Sequence, residues 1–281
     1  MIDSKTKLIG VIGKPIEHSM SPPMHNAAFL KNSLNYVYLA FNVEDLGSAI
    51  KSMRALNIKG YNVTIPYKTE VIAYLDQIEP VAKKIGAVNT IVNENNILKG
   101  YNTDYIGAIE ALEEKIKIKD KKAIVLGAGG ASRAICFGLL NKGAEVLILN
   151  RSVEKGMLLA GELNQHWKSK ASSMSINEAT VQLTKTYDIL INTTPVGMYP
   201  KINKTPIEKE FLALNLLVMD IIYNPLQTQL LKDAKNTGCR TISGLEMFVN
   251  QGAASFELFT GKKPSKDIMK KTVKDLLRQR I

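Results

Sequence analysis

Short runs of apolar residues alternate with amphipathic stretches along almost the whole chain. The clearest example starts with the apolar run 123–126, continues through the glycine-rich turn 127–132 and a helical pattern that ends at Leu140, and closes with the apolar run 146–149. Four apolar residues between turn signals are typical of a buried strand. Strand, glycine turn, helix and strand within about thirty residues are typical of a dinucleotide-binding βαβ unit.

The same patterning predicts further elements on both sides of this unit. Apolar runs predict strands at residues 8–13, 36–43, 60–65, 88–92, 97–101, 172–176, 187–193, 216–222 and 240–242. Helical spacing predicts helices at residues 21–30, 45–56, 69–75, 102–115, 226–235, 245–259 and 265–280, and another that begins at Val153. Ser21 and Pro22 are predicted as the N-cap and the first residue of the first helix.

The end of the second strand in the βαβ unit selects between the two nicotinamide dinucleotides. An NAD site has an acid there for the ribose 2′-hydroxyl. This chain has Asn150, Arg151 and Ser152 instead, with Lys155 one helical turn further on. A guanidinium can bind a 2′-phosphate through two parallel hydrogen bonds. These residues predict NADP(H) as the cofactor, whereas a turn that binds no nucleotide is the alternative for the glycines considered alone.

Strands that alternate with helices predict an α/β fold with two α/β domains. We predict an N-terminal substrate-binding domain at residues 1–104 and a Rossmann-like NADP-binding domain at residues 105–243. Residues 244–281 are predicted to form helices that pack back on the first domain, because no strand follows them. In this arrangement helices join the two domains, and the active-site cleft lies between them.

Hydroxyl, amide and charged side chains follow the predicted strands of the first domain. Ligands of open α/β sheets bind beyond the carboxyl ends of the strands, so these side chains are expected to share one crevice. They are Ser19, Ser21, Thr64, Lys68 and Asn89, while Asp104 and Gln251 fall where the two domains join. Such a set suits a small polyhydroxylated acid. Each residue alone also fits an ordinary role, such as a helix cap for Ser21 or a turn for Asn89.

Composition and charge narrow the class of partner. The chain has 281 residues, of which 45% are hydrophobic and 22% charged, and its formal net charge is +11. The lysines are scattered along the chain, whereas a nucleic-acid binder concentrates its basic residues and interleaves aromatics. We therefore predict a small anionic substrate and no nucleic acid. The apolar runs are too short for a membrane span and residues 1–7 too polar for a signal peptide, which predicts a cytoplasmic location.

Cysteine and histidine usage indicates no metal site. Cys136 and Cys239 are far apart in the sequence and have apolar neighbours, which predicts two buried free thiols. His18, His25 and His166 lack the spacing of metal ligands.

A series of short motifs, in order along nearly the whole chain, is far more specific than any one of them. The motifs are Ser19-Met20-Ser21-Pro22, Asn62-Val63-Thr64-Ile65-Pro66-Tyr67-Lys68, Gly86-Ala87-Val88-Asn89-Thr90, Asn102-Thr103-Asp104, and residues 127–133, 150–152, 192–198, 223–225 and 244–251. This series resembles the shikimate dehydrogenase family. The resemblance implies an NADPH-dependent reduction of 3-dehydroshikimate to shikimate, a step towards chorismate and the aromatic amino acids.

The resemblance also implies a role for each candidate residue. Lys68 and Asp104 match the family's catalytic pair. Ser19 and Ser21, helped by Tyr223, are implied to hold the substrate carboxylate. The ring hydroxyls are implied to be surrounded by Thr64, Lys68, Asn89, Asp104 and Gln251. Dinucleotide contacts are implied for Gly127, Ala128, Gly129, Gly130, Ala131, Asn150, Arg151, Ser152, Lys155, Thr194, Ile221 and Gly244.

Three alternatives share part of this pattern. A quinate/shikimate dehydrogenase with broader substrate or cofactor use has the same fold and chemistry. Another two-domain NADP enzyme, such as a methylenetetrahydrofolate dehydrogenase, is expected to lack the Ser19, Ser21 and 62–68 motifs in this arrangement. A non-catalytic sensor on the same scaffold is disfavoured by the intact Lys68 and Asp104. The sequence leaves both a monomer and a homodimer open.

Overall fold

The computed structural model describes residues 2–279, which divide into two compact units. The first unit contains the described residues up to Ile106 and those from Val249 onward, and the second contains Gly107–Phe248. The chain thus returns to the first unit after it has completed the second. The domain limits 1–104, 105–243 and 244–281 stay a prediction, which limited proteolysis would test.

The first unit contains a six-stranded mixed sheet with strand order β2-β1-β3-β5-β6-β4. Its strands are β1 (Lys7–Gly13), β2 (Tyr36–Asn42), β3 (Gly60–Val63), β4 (Gln77–Ile78), β5 (Thr90–Glu94) and β6 (Ile97–Tyr101). β1 pairs in parallel with β2 and β3, whereas β5 is antiparallel to β3 and β6. The carboxyl ends of β1 and β3 therefore lie at one edge of the sheet, where Thr64 N donates to the Ile12 carbonyl at 2.9 Å.

The second unit contains a six-stranded sheet in which all strand pairs are parallel. Its strands are β7 (Lys122–Leu126), β8 (Glu145–Asn150), β9 (Ala171–Ser175), β10 (Ile189–Asn192), β11 (Leu217–Asp220) and β12 (Arg240–Ile242). They lie in the order β12-β11-β10-β7-β8-β9, which is the doubly wound arrangement of dinucleotide-binding folds. The predicted Rossmann-like fold is therefore confirmed, and the strand order reverses between β7 and β10.

Helices lie between strands of both sheets, and the last two follow β12 without a further strand in the described residues. They are α1 (Ser21–Lys31), α2 (Leu46–Ala55), α3 (Pro80–Ile85), α4 (Asp104–Glu113), α5 (Gly130–Asn141), α6 (Val153–Asn164), α7 (Val181–Thr184), α8 (Gln229–Asn236), α9 (Gly244–Thr260) and α10 (Lys266–Gln279). Residues 69–75 are predicted as a helix, but only Glu70–Tyr74 are helical and they form a 3₁₀ turn. The elements β4, α3 and α7 have two, six and four residues, and such short segments carry too little periodicity to be predicted.

The start of α1 differs from the prediction. Ser21 is predicted as the N-cap, but Met20 occupies that position and no side chain caps the helix. The reason is that Pro22 and Pro23 fill the second and third helical positions and lack the N–H groups that a capping side chain needs as donors. Ser19 Oγ instead accepts a hydrogen bond from Ser21 N at 3.2 Å.

The second sheet is buried on both faces. Ile124 and Val125 point to opposite faces of the sheet because they are neighbours on one strand, and both are fully buried. The same holds for Leu190 and Ile191 on β10. Burial on both faces explains why these strands are continuous apolar runs without alternation.

Three further features of the described residues concern the cysteine thiols, possible membrane spans and possible metal ligands. Cys136 and Cys239 are both free and buried, and burial raises the pKa of the Cys136 thiol to about 12. Among the residues described, no helix combines the length and the apolar composition that crossing a bilayer requires. No group of three or more histidine, cysteine, aspartate or glutamate side chains within residues 2–279 is arranged to hold a metal ion.

Candidate functional site

Lys68 and Asp104 form a buried ion pair in the first unit. Lys68 lies in the turn that follows β3, and Asp104 is the first residue of α4. Lys68 Nζ is 2.5 Å from Asp104 Oδ2, and the two side chains are 16% and 6% exposed. An ammonium held this close to a carboxylate is fixed in direction, because Asp104 restricts where its remaining N–H groups can point.

Asn89 holds the second oxygen of the Asp104 carboxylate. Its side-chain Nδ2 donates to Asp104 Oδ1 at 2.8 Å and to Thr103 Oγ1 at 3.0 Å. Its Oδ1 accepts from Thr103 N at 2.7 Å. Asn102 Oδ1 in turn accepts from Asp104 N at 3.0 Å. The predicted residues Lys68, Asn89 and Asp104 are thus brought together in one hydrogen-bonded group, and Asn89 is fixed in its amide orientation by Thr103.

A second layer of buried polar residues supports this group, and sequence reasoning did not identify it. Asn62 Nδ2 donates to Thr90 Oγ1 at 3.0 Å and to the Asn89 carbonyl at 3.2 Å. Tyr38 OH donates to Asn62 Oδ1 at 2.6 Å. Tyr38 and Thr90 are completely buried and Asn62 is 8% exposed. The only sequence signal was the presence of polar residues within otherwise apolar strands.

The hydroxyl residues Ser19, Ser21 and Thr64 lie after the carboxyl ends of β1 and β3. Ser21 is buried, whereas Ser19 and Thr64 are partly exposed. Gly13, the last residue of β1, approaches Thr64 so closely that a Cβ at Gly13 would lie 2.4 Å from Thr64 Cγ2. These neighbouring strand ends bring hydroxyl groups to the edge of the sheet from which Lys68 also emerges.

The two remaining substrate-site predictions lie on other elements. Gln251 is a partly buried residue of α9 in the first unit. Tyr223 belongs to the second unit, where it follows β11 and its ring stacks on Phe248 with 4.2 Å between the ring centroids.

The glycine-rich turn of the second unit begins at the end of β7. Gly127 has a φ of +107°, and a Cβ there would lie 2.7 Å from Thr193 Oγ1, so only glycine suits this position. Gly129 is the N-cap of α5 and has open space where a side chain would stand. Ser132, which occupies the place of the usual third glycine, is buried and donates from Oγ to the Gly127 carbonyl at 2.7 Å. Gly129 is exposed and Gly130 and Ala131 are partly exposed, so the start of α5 is open to solvent.

Two exposed cations follow β8. Arg151 and Lys155 are both exposed, and within residues 2–279 neither forms an ion pair. Asn150 Nδ2 donates to the Ser152 carbonyl at 2.8 Å and so fixes the backbone at Arg151. An exposed guanidinium and ammonium at the end of this strand suit a 2′-phosphate.

The predicted cofactor residues Ile221 and Gly244 touch through their backbones. A Cβ at Gly244 would lie 2.4 Å from both the carbonyl carbon and the carbonyl oxygen of Ile221. The obstacle is backbone, which cannot rotate away as a side chain can. Thr194 is also a predicted cofactor residue. It donates from both its backbone N and its Oγ1 to Asn192 Oδ1, at 2.9 and 2.7 Å.

Replacement of Gly244 by alanine is expected to lower the free energy of unfolding by about 2 kcal/mol, because the new methyl group overlaps the Ile221 backbone. Thermal or urea unfolding would measure it. Gly161→Ala is the matched control, since a Cβ there meets nothing within 4 Å and alanine is favoured over glycine in a helix. An unfolding free energy for Gly244→Ala equal to that of the wild type would contradict the close approach.

Three family models match segments that together span most of the chain. The model of the shikimate dehydrogenase substrate binding domain matches residues 11–91. The model of shikimate / quinate 5-dehydrogenase matches residues 110–225, and the model of the shikimate 5′-dehydrogenase C-terminal domain matches residues 244–274. A shikimate dehydrogenase (NADP(+)) of Methanocaldococcus jannaschii is 50% identical over 280 residues, which are 98% of this chain and 99% of the relative.

Solved structures agree with these matches. A crystal structure of a shikimate dehydrogenase in complex with NADP+ has a TM-score of 0.92 and 46% identity, and covers 99% of this chain and 98% of its own. A shikimate 5-dehydrogenase of Listeria monocytogenes in complex with shikimate and NAD has a TM-score of 0.88 and 38% identity, with 98% of each chain covered.

Proposed function

The chain belongs to the shikimate dehydrogenase family, and we propose that Lys68 and Asp104 carry the family's reaction in this chain. That reaction is the reversible NADPH-dependent reduction of 3-dehydroshikimate to shikimate, in the biosynthesis of chorismate and the aromatic amino acids. The protein is therefore an NADP-dependent oxidoreductase. The observation that carries the assignment of the pair is the buried contact of 2.5 Å between Lys68 Nζ and Asp104 Oδ2.

The reaction needs a positive charge and a proton at the substrate's carbonyl oxygen. NADPH supplies the hydride when it is bound. As the ketone carbon is reduced, negative charge grows on the oxygen, and the Lys68 ammonium stabilises that charge. The Lys68–Asp104 pair supplies the proton that the oxygen takes up. Asp104 orients Lys68 through Oδ2, while Asn89 keeps the carboxylate from rotating through Oδ1.

The surrounding polar residues suit a polyhydroxylated acid. Hydroxyl groups such as Ser19 and Ser21 can donate hydrogen bonds to a carboxylate, and amides such as Asn89 can both donate to and accept from ring hydroxyls. Single alanine substitutions, read as changes in the KM for 3-dehydroshikimate, would test each role. The proposed substrate contacts are Ser19, Ser21, Thr64, Asn89, Tyr223 and Gln251, in addition to the catalytic pair.

The residues of the glycine turn fit the phosphates of NADP(H). A helix start that borders open space offers N–H groups and a positive dipole end to a pyrophosphate, and α5 has no acidic residue in its first turn. Arg151 and Lys155 would hold the 2′-phosphate. The remaining proposed cofactor contacts are Gly127, Ala128, Gly129, Gly130, Ala131, Asn150, Ser152, Thr194, Ile221 and Gly244.

Replacement of Arg151 by alanine is expected to raise the KM for NADPH by roughly tenfold to a hundredfold, because charge-assisted hydrogen bonds to the 2′-phosphate are lost. The KM for NADH, which lacks that phosphate, is expected to stay nearly constant. Arg240→Ala is a control, since Arg240 lies at the start of β12 and donates to the Lys115 carbonyl at 2.8 Å. Equal losses with NADPH and NADH would contradict the assignment.

One assay tests the function directly. Purified protein is expected to consume NADPH in the presence of 3-dehydroshikimate, measured as loss of NADPH absorbance. Turnover of quinate with NAD would instead support a quinate/shikimate dehydrogenase with broader use. Absence of both 3-dehydroshikimate reduction and quinate oxidation would contradict the proposal, because the intact Lys68–Asp104 pair would then have no reaction to serve.

We further propose that the protein acts in the cytoplasm on this small anionic substrate, without a nucleic-acid or membrane partner. The scattered lysines favour a diffuse positive field rather than a concentrated basic face that would bind nucleic acid. Both a monomer and a homodimer are compatible with the proposal, and light scattering of the purified protein would distinguish them.

A further inference from the structure

Asp220 is a fully buried carboxylate at the end of β11 in the second unit. Within the part of the chain that the structure describes, no lysine, arginine or histidine forms an ion pair with it. A buried charge without a cation is costly unless hydrogen bonds compensate it. Asp220 was not among the residues identified from the sequence, and it does not take part in the proposed reaction.

Three hydrogen-bond donors surround this carboxylate. Asn192 Nδ2 donates to Asp220 Oδ1 at 3.0 Å, and Ile222 N donates to the same oxygen at 3.1 Å. Thr228 Oγ1 donates to Asp220 Oδ2 at 2.7 Å. Asn192 and Thr228 are completely buried as well. All three groups donate hydrogen bonds to the carboxylate. An ionised carboxylate only accepts hydrogen bonds, so the cluster suits the ionised form of Asp220.

This cluster connects two backbone segments that are proposed to contact the cofactor. Asn192 uses its Nδ2 for Asp220 and its Oδ1 for both the backbone N and the Oγ1 of Thr194. Asp220 thereby fixes the orientation of the Asn192 amide, since a flipped amide would turn its Nδ2 towards the Thr194 donors. On the other side, the hydrogen bond from Ile222 N holds the turn that contains Ile221.

We infer that Asp220 is a positioning residue of the NADP(H) site, whose carboxylate holds the loop of Thr194 through Asn192 and the turn of Ile221 through the Ile222 amide. This inference rests on the proposed function, in which Thr194 and Ile221 contact the cofactor. It predicts that loss of the charge on Asp220 weakens NADPH binding more than it slows the chemical step.

The charge state of Asp220 is sensitive to pH near neutrality. Burial raises the pKa of its carboxyl to about 6, although the hydrogen bonds from Thr228, Ile222 and Asn192 oppose this rise. None of these facing groups titrates in the same range. As the pH falls through about 6, Asp220 takes up a proton, and one donor of the cluster loses its acceptor. NADPH binding is therefore expected to weaken below about pH 6 through this group.

Asp220→Asn tests the inference, because the amide has the same shape but turns an N–H group towards a donor. We expect the Kd for NADPH, measured by the fluorescence of the bound dinucleotide, to rise about tenfold. We expect kcat at saturating NADPH to change by less than about threefold. Asp188→Asn is the matched control, since Asp188 precedes β10 at the other end of the strand from Asn192 and accepts from Lys121 and Lys122.

The pH profile separates positioning from a general loss of structure. The 2′-phosphate of NADPH also titrates near pH 6, but it does so equally with every variant. The weakening of binding at low pH should therefore be smaller for Asp220→Asn than for the wild type. An NADPH Kd and a pH profile equal to those of the wild type would overturn the inference.

A second pair of variants decides the matter if Asp220→Asn does not fold, as judged by circular dichroism. Thr228→Val removes one donor, which should raise the pKa of Asp220 further and move the acid weakening of NADPH binding to higher pH. Thr228→Ser keeps the hydroxyl and should behave as the wild type. Identical pH profiles for the two variants would overturn the inference.

Direct binding does not need turnover, so a wild type that binds NADPH but leaves 3-dehydroshikimate unchanged would refute the proposed function alone.

Discussion

Replacement of Lys68 by alanine is expected to lower kcat for 3-dehydroshikimate reduction by about a thousandfold, while the KM for that substrate changes much less. The substrate oxygen loses both the cation that stabilises its growing charge and the group that shares its proton with Asp104. Steady-state kinetics with saturating NADPH measures both constants. If only KM rose and kcat stayed constant, Lys68 would be a binding residue and the proposed mechanism would be wrong.

The effect of Lys68→Ala on kcat has to be separated from its effect on folding stability. Asp104 is 6% exposed, and a buried carboxylate that loses its cation can cost about 3–5 kcal/mol of folding free energy. Unfolding curves should therefore accompany the kinetics, with all assays below the transition. Lys59→Ala is the matched control, because Lys59 precedes β3 whereas Lys68 follows it, and its side-chain Nζ donates to the Asn93 carbonyl at 3.3 Å. We expect its kcat to equal that of the wild type.

Replacement of Asp104 by alanine is expected to lower kcat by about a hundredfold or more, because Lys68 then loses the carboxylate that orients it. The Asn89 amide also loses its 2.8 Å contact with Asp104 Oδ1. Asp45→Ala is a suitable control, since Asp45 is also a helix-start aspartate but caps α2 by accepting from Ser48 N at 3.1 Å. It is expected to cost about 1 kcal/mol of stability and to leave kcat unchanged.

The double variant Lys68→Ala/Asp104→Ala tests whether the two residues act as one unit. Groups that act together give effects far smaller than the product of the single effects. We expect the double variant to be about as slow as Lys68→Ala alone. A decrease equal to the product of the two single decreases would mean that Asp104 acts independently of Lys68.

The apolar pattern of the sequence predicted the fold of the second unit, whereas it did not predict the short elements of the first unit. The runs at 123–126 and 146–149 are buried on both faces, so their strand character appears as continuous hydrophobicity. β4 and α3 escaped prediction because they are too short for any period. The capping residues of α3 were nevertheless a possible signal in the sequence. Glu79 accepts from Val81 N and Ala82 N, and Gly86 ends the helix with a φ of 69°.

The candidate site divides in a similar way. Lys68 and Asp104 were paired through the resemblance of their motifs to the shikimate dehydrogenase family, since each residue alone also fits an ordinary role. Asn62 and Thr90 could not be identified as their support, since a polar residue on a strand looks like an exposed position until its hydrogen-bond partners are known. The hydrogen bond between Asp220 and Asn192 was missed for the same reason.

The hairpin of β5 and β6 has a consequence for the order in which the site assembles during folding. Asn95 and Asn96 turn the chain in left-handed conformations and so bring Asn89 to Asp104, only 15 residues further along. Closing a short loop costs less chain entropy than closing a long one, and local contacts form sooner. The turn at Gly127 depends instead on Thr193, which bonds the Leu126 carbonyl across 67 residues. The Asp104 carboxylate is therefore expected to gain its orientation early, before the turn at Gly127 takes shape.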